Sequence, residues 1–200
     1  MTFSKRLLMA LCFVSMVVVT SVLAQDIPDF DEDFDNDIIE FEYPEDWEIE
    51  EYSNGTNIII YSEGSSADLD TLVFGRPRNT FLFRIIVSNT YNTLNNPAAI
   101  AGFEFRAWAD YLRVEQEVLD DYSISDEVET DEVNRNDYAL ITAEFVSLEG
   151  DEVHGAFLAL EVDDEQFIVL AGFADNNDDD ELYEMMLEFA DSLDTCFPDC

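Results

Sequence analysis

Tyr138-Ala139-Leu140-Ile141-Thr142-Ala143-Glu144-Phe145-Val146 and, further along, Phe167-Ile168-Val169-Leu170-Ala171-Gly172-Phe173 are apolar at nearly every position. In the first, Ala139, Ile141, Ala143 and Phe145 alternate with Tyr138, Leu140 and Val146; in the second, Phe167, Val169, Ala171 and Phe173 alternate with Ile168 and Leu170. Strand side chains point alternately to the two faces, so a sheet wetted on one face shows a polar residue at every second place. These stretches do not, and both faces of their sheet are therefore covered. Helices are the available covers.

Working outward, the spacing predicts a meander of three strands at 138–148, 153–162 and 166–173, joined by turns at Glu149-Gly150-Asp151 and Asp163-Asp164-Glu165. Upstream, strands are expected at 38–43, 48–53, 57–61 and 81–87, with Asn54-Gly55 as the strongest hairpin signal. One helix starts at the Asn96-Pro97 cap and is expected to run to Asp120; a second, opened by acids at 178–181, covers about 179–193. On the first, Ile100, Phe103, Ala107, Tyr111, Val114 and Val118 form the stripe expected to face the sheet. Phe105, Trp108, Leu112 and Leu119 form a second row, which is either an exposed partner surface or is covered by the irregular segment 63–79. The fold expected is α+β, an α/β/α sandwich: an antiparallel sheet of about six to seven strands with helices covering both faces.

The opening Phe41-Glu42-Tyr43-Pro44-Glu45-Asp46-Trp47 is followed by a polar strand, Asn54-Gly55, an apolar strand, a mid-chain helix, the meander and a last helix ending Phe189-Ala190-Asp191-Ser192-Leu193. This order resembles the PsbP-like family over residues 38–193. The resemblance implies an antiparallel sheet between helices, the fold of the photosystem extrinsic subunit and of a Ran-binding import factor, and a protein that binds a protein partner without catalysis. Fold does not carry function, and no partner or metal residue of those relatives is matched here.

Lys5-Arg6, an apolar run and Val22-Leu23-Ala24 read as a cleavable export signal over residues 1–24. The competing reading is an uncleaved membrane anchor, because the uncharged stretch reaches the roughly 18 to 20 residues that span a bilayer. The expected location is secreted or periplasmic, with residues 25–37 as an acidic disordered lead-in and 38–195 as a single domain. Beyond residue 24 the chain carries all 47 acids and six basic residues, Arg76, Arg78, Arg84, Arg106, Arg113 and Arg135, a net charge of −41. A field of that sign repels phosphate backbones and anionic lipid heads, which excludes nucleic acid and anionic membranes as partners. Cations and an extracytoplasmic protein partner remain, and a monomer is expected. A hydrated acidic surface also disperses a protein in strong salt.

His154 is the sole histidine, and no nucleophile elbow, zinc spacing, phosphate loop or dinucleotide fingerprint accompanies it, so no catalytic residue and no cofactor are expected. The cation candidate is the alternating run Asp29, Asp31, Asp33, Asp35 and Asp37. Counted from Asp31, its acids fall at positions 1, 3, 5 and 7 of an EF-hand-like calcium loop, although position 6 is Asn36 rather than Gly. Arg76 and Arg78, flanking Pro77, are candidates for gripping an anion or for pairing with carboxylates. Cys196 and Cys200 are read as a disulfide stapling the tail 196–200, with a metal pair or a partner-linked thiol as alternatives.

Overall fold

The computed structural model describes residues 27–63, 74, 80–88, 94, 96–125, 128–163, 166–175 and 179–195. Within them lie β1 (Phe30–Asp35), β2 (Ile39–Pro44), β3 (Glu48–Tyr52), β4 (Asn57–Tyr61), β5 (Leu82–Ser88), α1 (Pro97–Asp110), β6 (Leu119–Ile124), β7 (Glu129–Val133), β8 (Asn136–Ser147), β9 (Glu152–Asp163), β10 (Gln166–Asp175), α2 (Asp179–Ser192) and β11 (Asp194–Thr195). The main antiparallel sheet runs β3-β4-β5-β10-β9-β8-β6, with β7 beside the start of β8, and a small sheet runs β1-β2-β11. Eight strands in one sheet and three in the other exceed the six to seven expected. The strands missed, β1, β6, β7 and the two-residue β11, are short and rich in acids. β6 and β7 are separate because each borders only part of the long β8.

The meander is as the alternation predicted, and the register explains its all-apolar composition. Ile58, Ile85, Leu170, Leu158 and Leu140 lie in one row across five strands, while Ile59, Ala171, Phe157 and Ile141 belong to the neighbouring row, which points the other way. The first row packs under Leu182, Met185, Met186, Phe189 and Leu193, from α2 and the residue after it, together with Ile39 and Phe41 of the small sheet. The second face meets Ile100, Ala101, Phe105, Trp108 and Leu112 of α1 and the turn after it. Among these contacts Phe189 is central: its ring lies 4.7 Å from Phe30, 4.8 Å from Phe83 and 6.2 Å from both Phe41 and Trp47. Gly172 of β10 leaves the notch in which Phe83 meets Met186, since a Cβ there would lie 2.7 Å from Phe83 Cε1 and 2.8 Å from Met186 Sδ.

Local chemistry sets the element ends. Asn96 Oδ1 accepts the Ala99 N–H at 2.8 Å, with Pro97 beginning the helix, as the sequence predicted. The β3–β4 and β7–β8 hairpin turns rely on left-handed backbone. The Asn54-Gly55 hairpin forms, but with four connecting residues, and Ser53, Asn54 and Gly55 all have positive φ. At Gly55 (φ 84°) a Cβ would sit 2.6 Å from Asn36 Nδ2, so only glycine fits. Asn134 and Arg135, with φ of 47° and 68°, make the two-residue turn from β7 to β8, and Asn134 Nδ2 ties it to Leu193 O at 2.9 Å.

The acidic lead-in requires correction: residues 30–35 are a strand rather than a disordered tether. Phe30 and Phe34 supply the reason, since Phe34 stacks on Phe41 at 4.8 Å and Phe30 meets Phe189, burying apolar surface between solvated acids. A bulge between Phe30 and Glu32 adjusts the pairing with β2. Residues 1–24 of the export signal lie outside the described residues. Among the described residues no helix is long and apolar enough to cross a membrane.

Candidate functional site

The row Phe105, Trp108 and Leu112, offered above as a partner surface, is buried against the sheet, and Trp108 is 4% exposed. Of the stripe predicted to face the sheet, Ile100 is buried there and Tyr111 and Val118 are partly buried, whereas Phe103 and Val114 are turned outward, 46% and 64% exposed. The α-helix stops at Asp110 and continues as a π-helical turn over Tyr111–Glu115, short of the Asp120 expected. The exposed Phe103 and the buried Phe105 and Trp108 all precede that turn, so two apolar rows compete for the sheet within the regular helix. Ala101, Phe105, Trp108 and Leu112 carry most of the apolar surface and take the sheet side.

Trp108 is the centre of this region. Its ring meets Phe173 edge-on at 4.8 Å and Tyr111 at 5.9 Å, and the Arg84 guanidinium lies 5.7 Å from its centroid. Arg84 Nε also donates to Asn57 Oδ1 at 2.9 Å. Among the described residues Trp108 Nε1 is the buried side-chain donor that meets no acceptor. Beside it lies a void of about 140 Å³ lined by Arg84, Glu104, Ala107, Trp108 and Tyr111.

The five candidate aspartates do not converge. Asp29 and Asp37 flank β1, while Asp31, Asp33 and Asp35 lie along it, so the run is extended where a calcium loop curls around its ion. Asp35 Oδ1 accepts the Asp37 N–H and Asp31 Oδ1 the Glu45 N–H. Asn36, at the place of the EF-hand glycine, is a turn-former: its Oδ1 accepts the N–H groups of Ile38 and Ile39, and its Nδ2 donates to Gly55 O and Glu51 Oε2. Among the described residues no three metal-ligating side chains come together to hold an ion. Arg76, Arg78, Cys196 and Cys200 lie outside the described residues. His154 stands on β9 opposite Glu144.

What sequence reasoning missed is carboxylate facing carboxylate. Asp33 pairs with Glu42, and Glu40 lies between Asp35 and Asp194 across the small sheet. Like charges directly opposite are destabilising. Elsewhere tyrosine hydroxyls relieve the crowding. Glu129 Oε1 accepts from Tyr138 at 2.9 Å and Tyr183 at 2.6 Å, Glu48 and Glu50 share Tyr61, and Glu50 also accepts from Tyr52.

Burial first, and then the Glu129 hydrogen bond, pushes the Tyr138 hydroxyl up; for Tyr183 that hydrogen bond leads, and the hydroxyl is pushed up to about 12. Burial and then Glu48 raise Tyr61. A hydroxyl raised in the fold favours folding below its ordinary value near 10.0 and loses that advantage as pH climbs through the folded value. Stability is therefore expected to hold to about pH 10 and to fall towards pH 12, tracked by tyrosinate absorbance beside urea melts. Glu129→Gln should move Tyr183 ionisation to lower pH; an unmoved titration would break the assignment.

No family model matches the chain, and no curated protein sequence matches it. Solved structures do. The chain is similar to PsbP (CyanoP) of the cyanobacterium Synechocystis, with a TM-score of 0.54 and 14% identity over 82% of this chain and 91% of that one. It is also similar to the Ran-binding protein Mog1p of Saccharomyces cerevisiae, with a TM-score of 0.50 and 9% identity over 80% of this chain and 90% of that one. These likenesses establish a PsbP-like fold.

Proposed function

From the PsbP-like fold as premise, we infer that this chain is a non-catalytic binding or accessory module that recognises a protein partner outside the cytoplasm. The observation that carries the reading is the likeness, across four fifths of this chain, to a protein described as Ran-binding. The leader at residues 1–24 supports export, and the charge of −41 beyond it favours a partner with a cationic surface. The test is affinity capture by the exported protein from the native extracytoplasmic fraction at low and high salt. A single species retained at low salt and released at high salt is expected. Capture of nothing above a resin control rules the reading out.

The facing acids of the small sheet favour a second reading, a salt-adapted or calcium-dependent structural protein. Asp33 against Glu42, and Asp35 and Asp194 about Glu40, should repel less as ionic strength rises. The melting temperature is therefore expected to rise with sodium chloride, and Glu40→Gln should flatten that rise. Calcium chloride at matched ionic strength separates the two forms of this reading: an equal rise means screening, and a larger one means calcium bridging the carboxylates.

A further inference from the structure

β6 ends the main sheet, pairing with β8 on one side and, among the described residues, with no strand on the other. Ser125 donates its N–H to Thr142 O of β8 at 2.9 Å. Backbone groups alternate sides along an antiparallel strand, so Asp121 and Ser123 also point theirs at β8, while Tyr122 and Ile124 present N–H and C=O outward, the Tyr122 N–H donating to the Asp121 Oδ1 at 2.9 Å, a local bond that an added strand would replace. The side chains of these two residues share one face, opposite Phe145 and Ala143, and are 36% and 44% exposed. Tyr122 is fixed in place, its ring 5.3 Å from Phe105 and 5.0 Å from the Arg113 guanidinium. Open backbone beside a rigid apolar strip is a template for an added strand.

Charge identifies what could pair there. Asp120 and Asp121 lie on the exposed edge, and β7, which continues the border of β8, adds Glu129, Asp131 and Glu132. We propose that β6 takes up an extended cationic segment of a partner protein as an additional strand. Apolar residues of that segment cover Tyr122 and Ile124, and its lysines or arginines meet the acids of β6 and β7. A second copy of this chain does not fit, because it brings the same large excess of acids to the edge. The opposite edge, β3, fits less well. Its Glu50 and Tyr52 bond to each other, and Asn36 lies against Glu51 at its end.

The inference rests on the protein-binding reading, and its test separates the two. The probe is a synthetic peptide of about ten residues alternating lysine and valine, with lysine–glycine and glutamate–valine peptides as controls, added to the full-length protein. Expected are saturable binding weakened by salt, slowed amide exchange at Tyr122 and Ile124, and at least tenfold weaker binding of both controls. Ile124→Pro removes an outward N–H that β8 does not use, so it should weaken binding tenfold or more with little change in melting. Ile124→Ala keeps that N–H and should lose less. Absent binding, or binding that leaves the Tyr122 and Ile124 amides unprotected and is indifferent to Ile124→Pro, overturns the proposal. If capture of a native partner survives Ile124→Pro unchanged, the edge is wrong and the binding module stands; if no partner is captured by either form, the module reading falls with it.

Discussion

Phe189→Ala is expected to destabilise the protein by about 3–5 kcal/mol, the range for emptying a core aromatic site. The ring is fully buried and touches Phe30, Phe41, Trp47 and Phe83, so one truncation withdraws support from the small sheet, the approach to β3 and the centre of the main sheet at once. Neighbouring aromatic rings cannot collapse into the gap without leaving their own contacts. Urea denaturation followed by tryptophan fluorescence measures the loss. Faster proteolysis near Phe30 should accompany it, since β1 is held largely by that contact and by Phe34 on Phe41. A change under about 1 kcal/mol would contradict the packing described.

Trp108 should show a contrast between two substitutions. Trp108→Ala removes the ring lodged against Phe173 and Tyr111 and should cost about 3–5 kcal/mol. Trp108→Phe keeps most of that packing and deletes a buried N–H that meets no acceptor among the described residues, whose desolvation costs about 1–3 kcal/mol. The gain offsets part of the lost indole area, so this variant should fall within about 1.5 kcal/mol of the parent. Thermal melts of both variants decide it. Equal losses would mean that the indole N–H has a partner after all.

The centre of the fold was legible because a strand buried on both faces leaves a signal few other elements leave. The runs at 138–146 and 167–173 occupy neighbouring rows that face α2 and α1, and the Asn96-Pro97 cap starts its helix where expected. The borders were not legible. β1 shows apolar residues only at Phe30 and Phe34, a spacing that suggests no strand by itself. β6 and β7 owe their pairing to the length of β8 rather than to their own pattern. The Asn134-Arg135 turn bends without the glycine that announces such turns.

The candidate surface was misread for a related reason. Two apolar rows lie on the regular helix Pro97–Asp110, and the sheet takes the one holding Phe105 and Trp108 while Phe103 faces out, a choice that spacing alone does not make. The exposed strip at Tyr122 and Ile124 sits in a stretch whose acids disguised it as solvated loop. The outward backbone of those two residues follows only from the register with β8.

The notch at Gly172 ties the history of three positions together. Any side chain at 172 meets Phe83 from the neighbouring strand and Met186 from the covering helix at once. Enlarging position 172 therefore calls for room at both 83 and 186, and reversing either change alone reopens the clash or leaves a hole. Covariation of these three positions is the expected result.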